Sequence, residues 1–201
     1  MSYQIPVKIE GFVKIFDPNT QEIFVDKKNA IHYENISISM ANTLANKNIG
    51  QIYLMSFGNG GSSVDPTGVI TYLPPNTTGQ NADLYNPTYN KVVDNNSSAN
   101  TDPSRNNLTV LHTTGTVYTD ILVSCLLDYG EPAGQQAFDN STNFNGEYVF
   151  DELGLKTWNG SPTDLRLITH VIFHPVQKSL NRQIQIDYTV RIQTLTNLSA
   201  T

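Results

Sequence analysis

Residues 183–195, QIQIDYTVRIQTL, put Ile184, Ile186, Tyr188, Val190 and Ile192 on one side of an extended chain and Gln185, Asp187, Thr189, Arg191 and Gln193 on the other. Alternation of this length predicts a strand with one buried and one polar face, in which a one-residue slip would invert every side chain. The same period recurs at 7–16, VKIEGFVKIF, where Val7, Ile9, Val13 and Ile15 oppose Lys8, Glu10 and Lys14, with Gly11 as a bulge. Asp17-Pro18-Asn19-Thr20 then makes a turn, because Pro presets φ and Asp bonds back to the backbone, and a short strand over 22–26 closes a hairpin.

Moving inward, the period changes once. Tyr33, Ile36, Met40 and Leu44 fall three and four residues apart, and Asn48-Ile49-Gly50 supplies a stop, so a helix is expected over 34–47. Its uncharged middle has too few ion pairs for a solitary helix, which places it against a sheet. Strands are expected at 51–57 and 69–72, on either side of Gly58-Asn59-Gly60-Gly61, a sharp structural turn in which glycine would adopt positive φ. Further strands follow at 108–117, 121–127, 148–158 and 165–173, and ILVSCLL at 121–127, the most apolar run, is the expected central strand.

Two stretches break the pattern. Residues 73–107, dominated by Asn, Thr, Ser, Pro and Tyr, have too few apolar residues to fill a core, and they and the second polar stretch, 128–147, are expected to be extended arms within a single domain, 1–201. The class is mainly β: an antiparallel β-sandwich or barrel-like core with one packed α-helix and long polar arms. Ordering such arms costs about 1–2 kcal/mol per residue, which points to neighbouring subunits as the source of the missing burial. Tyr72, Tyr85, Tyr89, Asn81, Asn86 and Asn90 suit that role as interface candidates, since Tyr gives contact area at little rotamer cost and Asn pairs with backbone.

The chemistry of the chain is sparse. Only 15% of residues are charged, the formal net charge is −6, and no basic cluster exceeds Lys27-Lys28, so nucleic acid is not an expected partner. Cys125, the only cysteine, lies in an apolar run and should be a buried, inert thiol. His170 and His174 have the spacing of two helical zinc ligands but sit in a strand pattern, which separates them by roughly 13 Å. They read as structural, as do His32 and His112. The 94–102 segment lacks the Gly and Glu of a calcium loop, the glycine turn lacks the Lys-Ser/Thr of a phosphate loop, and no Ser sits in a nucleophile elbow. Asp151 and Glu152 are adjacent on a strand and face opposite sides. Neither an enzymatic role nor a cofactor is expected. There is no apolar run of membrane-spanning length and no signal-peptide pattern at the first residues, so a soluble protein made in the cytoplasm is expected.

Asn29-Ala-Ile, the helix ending Met40-Ala-Asn-Thr-Leu-Ala, the strand Ile52-Tyr-Leu-Met-Ser, Phe57-Gly-Asn-Gly-Gly, Asp65-Pro-Thr-Gly-Val-Ile-Thr-Tyr and the late Leu167-Ile-Thr-His-Val-Ile-Phe-His-Pro-Val-Gln-Lys-Ser together resemble a family of virion structural proteins from tailed bacteriophages. Residues 29–72 also bear a weaker likeness to the first domain of phage tail-collar fibre proteins. The resemblance implies a non-enzymatic structural subunit of the virion, a homo-oligomeric ring or adaptor in the neck, collar, tail or baseplate that anchors neighbouring virion proteins. The sequence has no downstream repeat or heptad shaft, so it is not itself a long fibre. Two other roles fit the composition: a head decoration or cement protein, and a carbohydrate-binding module in which Trp158, Tyr148, Asp151 and Glu152 form a stacking platform and acid pair.

Overall fold

The computed structural model describes residues 6–133 and 149–194. In chain order the elements are β1 (Val7–Phe16), β2 (Ile23–Ile31), α1 (Tyr33–Leu44), β3 (Ile52–Gly58), β4 (Ser62–Val64), β5 (Ile70–Tyr72), β6 (Pro87–Val92), β7 (Asn107–Leu111), β8 (Tyr118–Leu127), β9 (Val149–Ser161), β10 (Asp164–Leu167), β11 (Thr169–Gln177) and β12 (Ile184–Thr194). All strand pairs are antiparallel. One sheet runs β6-β3-β9-β11-β2-β1-β12-β8-β7, with β10 added on β9, while β4 and β5 form a separate hairpin. The large sheet curls strongly into a half-barrel, in keeping with the β-rich, barrel-like core and single helix expected from the sequence.

The period-two segments fold as their patterns require. β1 pairs with β12 over ten residue pairs, from Val7↔Thr194 to Phe16↔Gln185, without a shift. The alternating apolar set of both strands, Val13, Ile15, Ile184, Ile186, Tyr188 and Val190, is buried in the concave core. Gly11 is not a bulge; its pairings with Val190 and Asn29 are regular, and the Asn29 side chain lies over it where a Cβ would stand.

Further expectations change, among them the 108–117 strand, which ends at Leu111 with a turn before β8. The 121–127 run is not central: β8 is the last strand but one, and the middle of the sheet is the short β11–β2 junction, Thr169↔Ile31 and His170↔Ala30. Its apolarity reflects the depth of Val123, Cys125 and Leu127 beneath the curl rather than its place in the strand order. The 165–173 strand is two, β10 and β11, broken at Ile168, whose N–H donates to Leu155 O. The helix stops at Leu44, three residues early, because Asn46 (φ 53°) and Asn48 (φ 57°) both take left-handed backbone, a conformation Asn tolerates better than most residues. At its other end His32 is the N-cap, its Nδ1 accepting the Asn35 N–H at 3.2 Å.

Residues 73–107 lie against the sheet instead of reaching away from it. Residues 73–86 cross the convex face of β9 and β11, where Leu84 is buried and Asp83 pairs with Lys156 at 2.6 Å. The chain then adds β6 to the edge of β3, with Phe57↔Tyr89 and Leu54↔Val92 in register. Beyond Val93 the loop to β7 is held by asparagine side chains that replace strand partners. Asn106 Oδ1 accepts the Leu126 N–H at 2.9 Å, Asn100 Nδ2 donates to Asn106 O at 2.8 Å, and Asn95 both accepts from Leu108 N–H and donates to Leu108 O. The segment needs few apolar residues because its burial is polar and paired. Of the second expected arm, 128–147, only residues 128–133 are described, and residues 134–147 lie outside the described residues.

Candidate functional site

The acidic pair that the sequence singles out lies at the root of the glycine turn. Asp151 and Glu152 are both buried on β9. Asp151 accepts the Gly61 N–H at 2.9 Å and the Ser62 N–H at 2.8 Å, and Ser62 Oγ–H donates to it as well. Glu152 accepts from Gly60 N–H (3.1 Å) and Asn86 N–H (2.8 Å) at Oε1, and from Tyr85 N–H (2.9 Å) at Oε2. Its fourth donor is His170, whose Nε2 is 2.9 Å from Oε2. The tautomer follows from the other ring nitrogen: Nδ1 accepts the Asn76 N–H at 2.8 Å, so the proton sits on Nε2. Burial alone would raise the Glu152 pKa, but the bonds from His170, Asn86, Tyr85 and Gly60 outweigh it and hold the carboxyl below its ordinary value of 4.5.

This constellation clamps backbone. Every carboxylate oxygen of the pair is committed to the chain, and what it fixes is the start of the β4–β5 hairpin and the 85–86 corner of the crossing segment. The glycines of the turn serve the same closeness. None of Gly58, Gly60 and Gly61 has positive φ, contrary to the sequence expectation. A Cβ on Gly60 would instead stand 2.8 Å from Asn86 N, and one on Gly58 2.6 Å from Asn86 O. Asn59 completes the turn with its N–H donating to Asn86 O at 3.2 Å.

Trp158 is not brought to the acidic pair. It lies six residues along β9, roughly 20 Å at strand rise, with its ring 4.8 Å from that of Tyr53. Tyr148 lies outside the described residues. His32 repeats the His170 arrangement, with Nδ1 accepting from Asn35 and Nε2–H donating to Gly79 O at 2.9 Å. His174 faces Tyr72 OH at 3.2 Å, and His112 bonds Thr119 and Tyr118 O. Cys125 is fully buried, and burial pushes its thiol pKa well up, so it is unreactive. Among the described residues no three His, Cys, Asp or Glu side chains converge to hold a metal ion, and no helix is long and apolar enough to cross a membrane.

The interface candidates divide. Tyr72 and Tyr85 are nearly half exposed, Tyr85 with its hydroxyl donating to Pro74 O at 2.7 Å, and Asn81, Asn86 and Asn90 are exposed. Tyr89 is turned inward against Phe57, and burial pushes its phenol up to about 12.

What the sequence reading missed is apolar. Between α1 and the β7–β8–β12 end of the concave face runs an open groove of about 360 Å3, lined by Met40, Leu44, Val110, Ile121, Val190 and Ile192. Its polar neighbours are satisfied among themselves: Ser39 Oγ is 3.0 Å from Thr157 Oγ1, and Thr43 Oγ1–H donates to Ser39 O. The rim is exposed, Leu44 by 84% and Val110 by 69%. On the opposite face the β4–β5 hairpin presents Val64 and Val69. The signal lies in Leu44, an apolar residue in the helical period at the last helical position, and in Val110-Leu111, within the expected 108–117 strand.

No protein-family model, no curated protein and no solved structure matches this chain.

Proposed function

We propose that this chain is a structural subunit of a tailed-phage virion, a non-enzymatic homo-oligomeric ring or adaptor component of the neck, collar or tail that anchors neighbouring virion proteins. The sequence segments quoted above suggest the family, and the distribution of side chains supports the kind of role. The carboxylates and histidines with the greatest burial are committed to holding backbone, whereas large apolar side chains are left in solvent at several places, among them the groove rim and the β4–β5 hairpin. Separate exposed apolar patches on a rigid β scaffold are what a subunit with several neighbours requires. The fixed hairpin and the polar-paired 73–107 segment add that such contacts are preorganised, which lowers the ordering cost of assembly.

The test is the molar mass of the purified protein by light scattering, followed by negative-stain imaging. A closed ring on a single axis is the expected result, a trimer would favour the head-decoration role, and a monomer that is absent from purified particles by mass spectrometry would overturn the reading.

A further inference from the structure

We propose that the groove between α1 and the β7–β8–β12 end of the sheet receives the β4–β5 hairpin of a second copy of the chain, a head-to-tail contact; it rests on the oligomeric reading above and specifies its interface. The two surfaces belong together chemically. The lining of the groove carries no charged side chain. Residues 62–72 of the hairpin, SSVDPTGVITY, carry one charge, Asp65. That carboxylate is exposed at the turn, where its Oδ1 accepts the Thr67 N–H at 2.8 Å and the Val69 N–H at 3.0 Å. Docking through Val64 and Val69, exposed by 62% and 58%, covers apolar surface while the Asp65 carboxylate at the turn stays in solvent. A volume of about 360 Å3 takes side chains of this size, not a whole element.

The hairpin is also rigid at both ends. Asp65 fixes its tip, Asp151 grips Gly61 and Ser62 at its base, and Leu73 N–H donates to Gly61 O at 2.9 Å. Little ordering remains to be done on binding.

Position decides between a second copy and the same chain. On β11, Val171 and Phe173 belong to the concave core, so Ile172 and His174 point to the convex face, and it is there that the hairpin base sits: Gly61 abuts Ile172 and Tyr72 OH meets His174. The groove is on the concave side, lined by Val190 and Ile192 of β12. A hairpin on one face does not reach a groove on the other, and two rigid copies do not exchange such surfaces reciprocally. The contact instead leaves one hairpin and one groove free at the ends, and it propagates, closing into a ring where its rotation allows.

The experiment uses two charge insertions at exposed positions, Val69→Arg in the hairpin and Leu44→Arg at the groove rim, in the full chain, with circular dichroism and melting curves to verify the fold. Each variant alone is expected to fall from the oligomer to the monomer in light scattering, with association weakened at least about tenfold. Mixed in equal amounts they should form a dimer and nothing larger, since only the hairpin of the Leu44→Arg chain and the groove of the Val69→Arg chain remain intact. Rings that persist in either variant, or a mixture that stays monomeric, would overturn this contact while leaving the oligomeric reading standing. A wild-type chain that is monomeric at every concentration would overturn the contact, and one that is also absent from purified particles would remove both.

Discussion

Glu152 Oε2 and His170 Nε2 lie 2.9 Å apart with neither side chain exposed to solvent, and the bond ties β9 to β11 on the convex face. In the strand register Glu152 is opposite Ile172, so His170 is its diagonal neighbour and reaches across from beside Gly154. With three backbone N–H donors on the same carboxylate, Glu152 is the point at which sheet, glycine turn and crossing segment are joined. Glu152→Ala leaves four donors without their acceptor, the His170 ring fully buried among them, and is expected to cost about 3–5 kcal/mol of unfolding free energy in denaturant titration. The sign of the pH dependence follows from the lowered carboxyl pKa. The stabilisation is complete above the unfolded value near 4.5 and is lost as pH falls through the folded value. Glu152→Gln should be less stable than wild type at pH 7 and lose less on acidification. Parallel acid profiles for the two proteins would show that Glu152 is not held ionised by its donors.

The turn beneath that carboxylate gives a second expectation. Ordinary φ at Gly60 would normally make Gly→Ala neutral or stabilising by about 0.4–1 kcal/mol through the unfolded chain. Here a Cβ would stand 2.8 Å from both Asn86 N and Tyr85 Cβ, so Gly60→Ala should instead destabilise by about 1–3 kcal/mol. Gly68→Ala (φ 86°), with nothing near its Cβ, separates the causes: its cost would be backbone strain alone. A stable Gly60→Ala protein would mean that the 85–86 corner yields easily.

Strands with a clean period of two, above all 7–16 and 184–194, were legible because one face is core and the other solvent, and the pattern records both. β9 was harder: residues 150–157 are buried on both faces, under the core and under the 73–86 crossing, so Glu152 and Lys156 look like solvent-facing positions when they are not. Residues 73–107 look like an arm in the sequence because they hold few apolar side chains. The anchors of 73–107 are Asn76, Asn100 and Asn106, whose side chains satisfy backbone groups, and a composition rich in Asn does not distinguish that from an interface. The groove was illegible because it arises between elements far apart in sequence, α1, β7, β8 and β12.

The asparagines can be sorted by measurement. Asn106 is 1% exposed and its amide takes the Leu126 N–H and gives to Asp102 O, so Asn106→Ala should cost about 1–3 kcal/mol. Asn81 and Asn90 are exposed, and their alanine variants should melt within about 0.5 kcal/mol of wild type. If these two serve an interface, the same variants weaken self-association without changing the melt. Variants at 81 and 90 that lose stability as Asn106→Ala does would place those side chains in the fold and remove them from the interface.

Lys178 supplies the last expectation. Its side chain is fully buried, and its ammonium donates to Ser179 O at 2.9 Å. Burial pushes the pKa down to about 8, with Glu131 and Asp128 favouring the charged form and Arg182 opposing it. In the unfolded chain the group titrates near its ordinary 10.5, so between about 8 and 10.5 the unfolded state holds more protons and stability rises with pH. Below 8 both states carry the charge and the full cost of burying it remains. Above 10 the trend reverses, because burial pushes the Tyr188 phenol up and the unfolded chain ionises its tyrosines first. Lys178→Met should therefore be more stable than wild type at pH 7, by on the order of 1–3 kcal/mol, and the difference should shrink between pH 8 and pH 10. Urea midpoints at pH 7, 8, 9 and 10 measure it. A constant difference across that range would mean that the lysine keeps its charge in the folded protein as readily as in water.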